Sequence, residues 1–188
     1  MLTKIEYSIY MKKINNIKTI ISNKIRGYLY IAAWHVGIDP LTKKKILKRS
    51  DMKTIGHSTF AWVVPAGLLK KDSICYCIGC GLDISFDLGL IENFDCNVYA
   101  FDPTPHSIDY VYEVSKNVKK YHFYEYGISK NEGNYKFFEP NHKSGSYSLH
   151  DLQKTGNYFY APFRTLTNVM NDLGHNHIDL IKIDVEGE

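Results

Sequence analysis

The segment CYCIGCGLDIS, residues 75–85, holds three cysteines and two glycines at spacings that fit two kinds of site. A zinc site needs four Cys or His ligands, which usually come as two pairs. No second pair follows this segment, since Cys96 stands alone. On a strand, Cys75 and Cys77 would point to one face and pack as small core residues. We therefore favour the second kind of site, a glycine turn that brings the main chain close to a ligand.

Gly79 and Gly81 follow a short apolar run and precede a helical pattern, which is the order strand, turn, helix. Such a junction places backbone N–H groups and a helix N-terminus beside a polar or anionic ligand. Asp102 ends the next apolar run, 21 residues after Gly81. Nucleotide-binding sheets place there a carboxylate that binds both ribose hydroxyls. The pattern therefore predicts a nucleotide-type pocket.

The dinucleotide motif G-x-G-x-x-G is incomplete, because Ile84 occupies the position of its last glycine. A nicotinamide-dependent oxidoreductase is therefore disfavoured. The phosphate-loop motif G-x-x-x-x-G-K-[ST] does not occur in the sequence. The sequence thus predicts a ligand pocket that has no pyrophosphate cradle.

Apolar runs that alternate with helical patterns must position these residues. The runs predicted as strands are SICYCIG, NVYAFDPTP, KYHFYEYGIS and IDLIKIDVEG, with EGNYKFFEP as part of a hairpin insertion. The segments predicted as helices are the one that follows Asp83, then SIDYVYEVSKNV and TLTNVMNDLG. Strands that alternate with helices predict an α/β fold whose parallel sheet is covered on both faces.

Charge is distributed unevenly along the chain. Residues 1–72 carry 14 Lys and Arg against 4 Asp and Glu, whereas residues 73–188 carry 9 against 16. This split argues against one uniform nucleic-acid-binding surface. The chain has 188 residues, of which 44% are hydrophobic. We predict a domain over residues 73–188, preceded by a basic helical extension over residues 1–72.

The basic extension has no secretory-signal pattern, because lysines interrupt it every few residues. Its longest uncharged run, residues 27–38, has 12 residues, whereas a membrane-spanning helix needs about 20. We predict a cytoplasmic protein with free thiols and no transmembrane segment. A helix of this composition can also lie on a membrane surface, but packing against the domain is the favoured use.

Five motifs, in this order, resemble the FkbM-type S-adenosylmethionine-dependent methyltransferases. They are CIGCGLDISFDLGLI, VYAFDPTP, HFYEYGIS, GNYKFFEP and IDLIKIDVEG, and the resemblance covers residues 73–188. It implies the Rossmann-like class I methyltransferase fold, in which a mostly parallel sheet is doubly wound. It also implies S-adenosylmethionine as the cofactor. The implied activity is methyl transfer to a hydroxyl oxygen of a sugar, a polyketide or another small metabolite.

The resemblance also implies roles for the residues of the predicted pocket. Gly79 and Gly81 would form the turn beside the methionine part of the cofactor. Asp102 would bind the ribose, and Ile128, after the third strand, would lie against the adenine. These four residues are the expected cofactor contacts that match the family by position.

Two positions depart from the family pattern. The family usually has an acidic residue at the position of Cys77, where it helps to hold the amino end of the cofactor, and a thiol cannot replace that charge. Asp83 stands where many members have glycine. It can recover part of the lost acidic function as a cofactor-binding residue, or it can cap the helix that follows, and we favour the cap.

Asp184 and Glu186 of KIDVEG would face the methyl group and the acceptor in such an enzyme. A carboxylate there can accept the proton that an alcohol loses on methylation, with Asp184 as the first candidate and Glu186 as the second. An acid at the carboxyl end of a strand can instead cap the next helix or bind the cofactor. The spacing of the acids does not call for a metal ion.

The sequence stops at Glu188, in the turn after the fourth predicted strand. The resemblance implies further helices and strands, so we expect a fold that is incomplete at its C-terminus, as in a truncated reading frame or a short fragment. This expectation leaves an alternative function open. A non-catalytic, methyltransferase-like fragment would act as a binding or vestigial domain.

Overall fold

The computed structural model describes residues 49–141 and 146–185, together with six isolated positions between residues 25 and 38. The predicted N-terminal helices fall mostly outside this range, and Glu186 lies outside it as well. No helix among the described residues is both long and apolar enough to cross a bilayer. The chain divides into two compact units, residues 1–50 and residues 51–188. The elements described below belong to the second unit.

The second unit begins with an antiparallel hairpin of β1 (Met52–Ile55) and β2 (Trp62–Pro65). The sequence analysis did not predict this hairpin, which lies in the range assigned to the basic helical extension, residues 1–72. Ile55 and Val64 are buried in the core. Gly89 lets β1 approach closely, because a Cβ at that position would lie 2.5 Å from Cγ2 of Ile55. The hairpin is therefore packed into the domain through its apolar side chains.

The remaining elements follow in chain order. They are β3 (Ile74–Ile78), α1 (Ser85–Phe94), β4 (Asn97–Phe101), α2 (Pro105–Ser115), β5 (Tyr121–Tyr124), β6 (Gly127–Ile128), β7 (Gly133–Phe138), β8 (Tyr158–Arg164), α3 (Leu166–Asp172) and β9 (Leu180–Ile183). The predicted alternation of strands and helices is confirmed in its order along the chain.

Strands β3, β4, β5 and β9 form a parallel sheet in the spatial order β5-β4-β3-β9. The chain runs outward from β3 to β4 and β5, and then returns to place β9 on the other side of β3. Such a reversal opens a crevice at the carboxyl ends of the strands on either side of it, and ligands of α/β sheets bind there. The predicted parallel sheet is confirmed, and its reversal point lies between β3 and β9.

Apolar side chains cover both faces of the sheet. On one face, Cys75 and Cys77 of β3 pack with Leu90 of α1 and Val111 of α2, and all four side chains are fully buried. On the other face, Tyr76 packs in a cluster with residues of α3. Because side chains alternate along a strand, adjacent residues of β3 serve opposite faces. The prediction that Cys75 and Cys77 are small core residues is confirmed.

A second sheet of β6, β8 and β7 flanks the first. β7 pairs antiparallel with β8, which confirms the predicted hairpin insertion. The segment predicted as one third strand is divided into β5 in the main sheet and β6 in the second sheet. β6 can lie beside β8 because Gly127 has no side chain, and a Cβ there would lie 2.2 Å from the Phe163 ring.

Candidate functional site

The turn after β3 is shaped by two glycines with positive φ, +83° at Gly79 and +55° at Gly81. A Cβ on Gly79 would lie 2.1 Å from the backbone oxygen of Asp184, whereas nothing lies within 4 Å of the corresponding position on Gly81. Position 79 therefore requires glycine for two reasons, the left-handed backbone conformation and the close approach of two strand ends. Position 81 favours glycine only because of its left-handed backbone conformation.

Asp102 lies directly on this turn and is only 5% exposed. One carboxylate oxygen accepts hydrogen bonds from the backbone N–H groups of Cys80 and Gly81, at 2.8 and 3.0 Å. The other accepts from the Thr104 N–H at 2.9 Å and from the Thr104 hydroxyl at 2.6 Å. A carboxylate offers about four lone-pair sites. These contacts use all of them, so a ribose hydroxyl that donates to Asp102 must replace a donor from the chain.

Asp83 lies at the start of α1 and also lines the cavity described below. Its carboxylate accepts a hydrogen bond of 2.7 Å from the backbone N–H of Ser85, the first residue of the helix. This contact satisfies one of the N–H groups that a helix leaves without an intrahelical partner. The predicted N-cap is therefore wrong by one residue, because Ile84 holds that position without a side-chain cap hydrogen bond and Asp83 precedes it.

A cavity of about 590 Å³ opens at the carboxyl ends of β3, β4 and β9. The predicted site residues that line it are Gly79, Gly81, Asp83, Asp102, Ile128 and Asp184. Residues from 79 to 184 in the chain are thus brought to one place by the sheet topology. A second cavity, beside Glu139 and Asp151, measures about 40 Å³ and is far too small for a nucleotide.

Aromatic side chains that the sequence analysis did not single out line the same cavity. The rings are those of Phe60, Trp62, Phe86, Phe101, Phe137, Tyr147 and Phe163. Trp62 comes from the unpredicted hairpin, and its ring lies 6.2 Å from that of Phe86. The cavity therefore combines polar strand ends with apolar walls, as small-molecule sites commonly do.

Lys182 is a further residue that the sequence analysis missed. It lies on β9 opposite Cys77 of β3 and is 6% exposed. Its ammonium donates a hydrogen bond of 2.8 Å to the carbonyl oxygen of Gly79 and lies 3.4 Å from a carboxylate oxygen of Asp184. A lysine inside the apolar run LIKI was a usable signal, because a charged residue in a buried parallel strand needs a partner.

Of the two predicted proton acceptors, Asp184 lies within the described residues. Its backbone N–H donates to the carbonyl oxygen of Ile78 at 2.9 Å, which continues the pairing of β9 with β3. Its side chain is 57% exposed and faces the cavity. Asp184 is therefore fixed by its backbone and accessible through its carboxylate. Glu186, the second candidate, lies outside the described residues.

The four cysteines are all buried and free. Burial raises the pKa of the Cys77 and Cys80 thiols well above the usual value. Thiols in this state are weak nucleophiles and weak metal ligands. Within residues 49–141 and 146–185, no group of three or more Cys, His, Asp or Glu side chains is arranged to hold a metal ion.

Comparison with known families gives one match. The model of the Methyltransferase FkbM domain matches residues 86–188, which is more than half of the chain. The matched range includes Asp102, Ile128 and Asp184, and it begins just after the glycine turn. Searches of curated proteins and of solved structures found no match. The family match agrees with the motif order and the parallel sheet, and we conclude that this chain belongs to the FkbM methyltransferase family.

Proposed function

We propose that this methyltransferase uses S-adenosylmethionine to methylate a hydroxyl oxygen of a sugar or another small metabolite. One observation carries the proposal. Gly79, Asp102 and Asp184, which lie far apart in the chain, meet at a cavity of about 590 Å³ where the sheet reverses its strand order. This is the place where α/β sheets bind nucleotide-like ligands. The family membership supplies the reaction class.

The fold that we propose is the Rossmann-like class I methyltransferase fold. Its support is the spatial order β5-β4-β3-β9 with every pairing parallel. Numbered by their order in the chain, these strands read third, second, first, fourth. That is the half of a doubly wound sheet that contains the reversal point. Helices α1 and α2 belong to one apolar cluster and α3 to the other.

The residues at the cavity suit the parts of such a cofactor. Gly79 and Gly81 leave the main chain open beside the polar end, and Ile128 offers an apolar contact on the side of β6. When bound, S-adenosylmethionine would supply an activated methyl group on a positively charged sulfur. Because the sulfur would depart as a neutral thioether, which is a good leaving group, the protein has mainly to align the reactants and exclude water. The aromatic walls of the cavity serve that exclusion.

An alcohol acceptor must also lose its proton. Asp184 is the described carboxylate that is both accessible and fixed at the reversal point, so we assign it the proton-accepting role. The Lys182 ammonium, 3.4 Å from its carboxylate, restricts the orientation of that side chain. A cytoplasmic location remains our prediction and agrees with the four free thiols.

Calorimetric titration of the purified chain with S-adenosylhomocysteine, S-adenosylmethionine and NAD tests the proposal. We expect the first two ligands to bind and NAD to give no heat. Asp184→Asn is expected to retain S-adenosylhomocysteine binding and to lose methyl transfer to hydroxylated acceptors. Absence of binding by all three ligands would refute the proposal in favour of a non-catalytic binding or vestigial domain. Binding of NAD alone would point to an oxidoreductase.

A further inference from the structure

Lys182 carries a positive charge that the sheet buries almost completely, with 6% of the residue exposed. A buried ammonium is costly unless opposite charge and hydrogen bonds compensate for lost water. The carbonyl oxygen of Gly79 accepts a hydrogen bond from the Lys182 ammonium, and the Trp62 ring lies 5.9 Å away, but neither carries a full negative charge. The nearby carboxylate of Asp184 is 57% exposed and 3.4 Å away, so solvent screens much of its attraction. Lys182 therefore needs a second source of negative charge.

The strand beside Lys182 does not supply that charge. Its partner on β3 is Cys77, and burial raises the pKa of that thiol well above its usual value. The side chain opposite Lys182 is consequently neutral at physiological pH. The compensating group must come from another element of the same face.

Asp87 on α1 is such a group. It is 1% exposed, and one of its carboxylate oxygens accepts a hydrogen bond of 3.1 Å from the Tyr121 hydroxyl. Its other oxygen is the one buried side-chain polar atom among the described residues that has no hydrogen-bond partner. Cys77 packs in one apolar cluster with Phe86 and Leu90 of α1, between which Asp87 lies in the helix, and its partner on the next strand is Lys182. Asp87 and Lys182 form no direct ion pair, and Cys77 lies beside Lys182 where α1 packs on the sheet.

Other buried acids do not fill this role. The buried charged side chains that the structure describes are Asp87, Asp102 and Lys182. The carboxylate of Asp102 accepts four hydrogen bonds from Cys80, Gly81 and Thr104, which hold it at the glycine turn, and it forms no ion pair with Lys182. Lys182 lowers the pKa of Asp87, whose value burial nevertheless raises to about 6. At neutral pH the acid is therefore mostly ionised and its charge is available.

We propose that Asp87 is the buried counter-charge of Lys182, and that this pair of buried charges beside Cys77 positions the glycine turn and Asp184. Lys182 donates a hydrogen bond to the carbonyl oxygen of Gly79 and forms an ion pair with Asp184. The position of its ammonium therefore influences the positions of both groups. Asp87 acts on the site through Lys182 and is a positioning residue. The pairing itself does not depend on the proposed cofactor.

A double-mutant cycle on thermal and urea unfolding tests the pairing. The variants are Asp87→Asn, Lys182→Met and the double variant, measured at pH 8, where the acid is charged. We expect the double variant to be more stable than the sum of the single changes predicts, because each single change leaves one buried group unpaired. The matched control replaces Asp109, an exposed acid on α2, by Asn together with Lys182→Met. That pair is expected to be additive, and additivity of the Asp87 cycle would overturn the proposal.

Relocating the charge gives a second test that a merely structural role for Asp87 would not pass. In Cys77→Asp with Asp87→Asn, the carboxylate moves to the strand position beside Lys182. At pH 8 we expect this variant to restore at least half of the coupling with Lys182→Met that Asp87→Asn abolishes, and Cys77→Ser with Asp87→Asn to restore none. Equal recovery in the Cys77→Asp and Cys77→Ser variants would overturn the proposal.

Ligand binding adds a readout that rests on the proposed function. We expect Asp87→Asn to weaken S-adenosylhomocysteine binding at least tenfold and the relocated acid to restore it. A chain that shows the coupling in unfolding but binds no S-adenosylhomocysteine would keep the pairing and refute the methyltransferase mechanism. A chain that binds S-adenosylhomocysteine but shows no coupling between Asp87 and Lys182 in unfolding would support the methyltransferase mechanism and refute the pairing.

Discussion

The two glycines of the turn differ in what surrounds them, and this difference is measurable. Gly79→Ala places a Cβ 2.1 Å from a backbone oxygen of Asp184, in addition to its cost at φ +83°. Gly81→Ala meets open space and carries only the cost of a positive φ. We expect Gly81→Ala to cost about 1 kcal/mol and Gly79→Ala about 3 kcal/mol or more, because backbone must shift. Urea unfolding compares the two, and equal costs would contradict the close approach of β9.

Asp102 has an observed structural role and a proposed role in ribose binding, and one experiment can separate them. Its four accepted hydrogen bonds fasten the glycine turn to the end of β4, whereas the family resemblance assigns it to the ribose. If it binds ribose, the wild type should prefer S-adenosylhomocysteine over its 2′,3′-dideoxy analogue by tenfold or more, and Asp102→Asn should lose that preference. Calorimetry measures both affinities. A preference that survives in Asp102→Asn would limit Asp102 to fastening the turn.

Among single residues, the sequence identified those whose type is unusual at their position. It did not identify residues whose role depends on neighbours in the folded chain. Gly79 and Asp102 could be named because glycine pairs and strand-ending acids have few uses. Asp87 looked like an ordinary acid in the first turn of a helix, and only the packed fold shows that it is 1% exposed. Lys182 stood out as a charge inside a short apolar run, but the sequence did not show which groups would surround it. Burial of a charge is a tertiary property that local pattern does not encode.

Among the elements, the hairpin of β1 and β2 contributes a wall of the cavity through Trp62. This side chain is 40% exposed, and the next residue on the strand, Val63, is 57% exposed. Because adjacent strand residues point to opposite sides, Trp62 faces the cavity while Val63 is not among its lining residues. We expect Trp62→Ala to weaken ligand binding about tenfold, while Val63→Ala leaves it unchanged. Calorimetry with S-adenosylhomocysteine measures both, and equal effects would remove the hairpin from the site.

Strands within βα units were predictable, and strands outside them were not. β3, β4 and β9 are short apolar runs flanked by turn residues, and each was found. β1 and β2 are short and half-exposed, and their pairing is set by burial of Ile55 against α1. β5 and β6 form one apolar run in the sequence, and the structure divides them because Gly127 allows contact with Phe163. Long-range contacts of this kind override local propensity.

For the molecule as a whole, the two apolar clusters explain why the parallel arrangement could be predicted. A sheet covered on both faces needs nearly continuous apolar strands, and β3 with five residues and β4 with five residues meet that need. The order of the strands follows from no local pattern. It is established by the pairings of β3 with both β4 and β9.

Stability of the whole domain should depend on pH through Asp87. Burial is the largest influence on this carboxyl and raises its pKa from 3.8 to about 6, against the attraction of Lys182 and the hydrogen bond from Tyr121. Asp83 adds a smaller repulsion that acts in the same direction as burial. Between pH 4 and 6 the folded protein thus binds a proton that the unfolded chain has already released. Stability from this group is greatest at low pH and falls as pH rises through that window.

Comparing the wild type with Asp87→Asn isolates this contribution from other titrating groups. Burial lowers the pKa of His122 and His175, which makes stability rise with pH below about 6.5, and both variants share that effect. A shift of about two pKa units corresponds to about 3 kcal/mol. We expect the wild type to lose about that much relative to Asp87→Asn between pH 4 and 7 in urea unfolding. Parallel curves for the two proteins would mean that Asp87 titrates alike in the folded and unfolded chain, and its burial beside Lys182 would then be wrong.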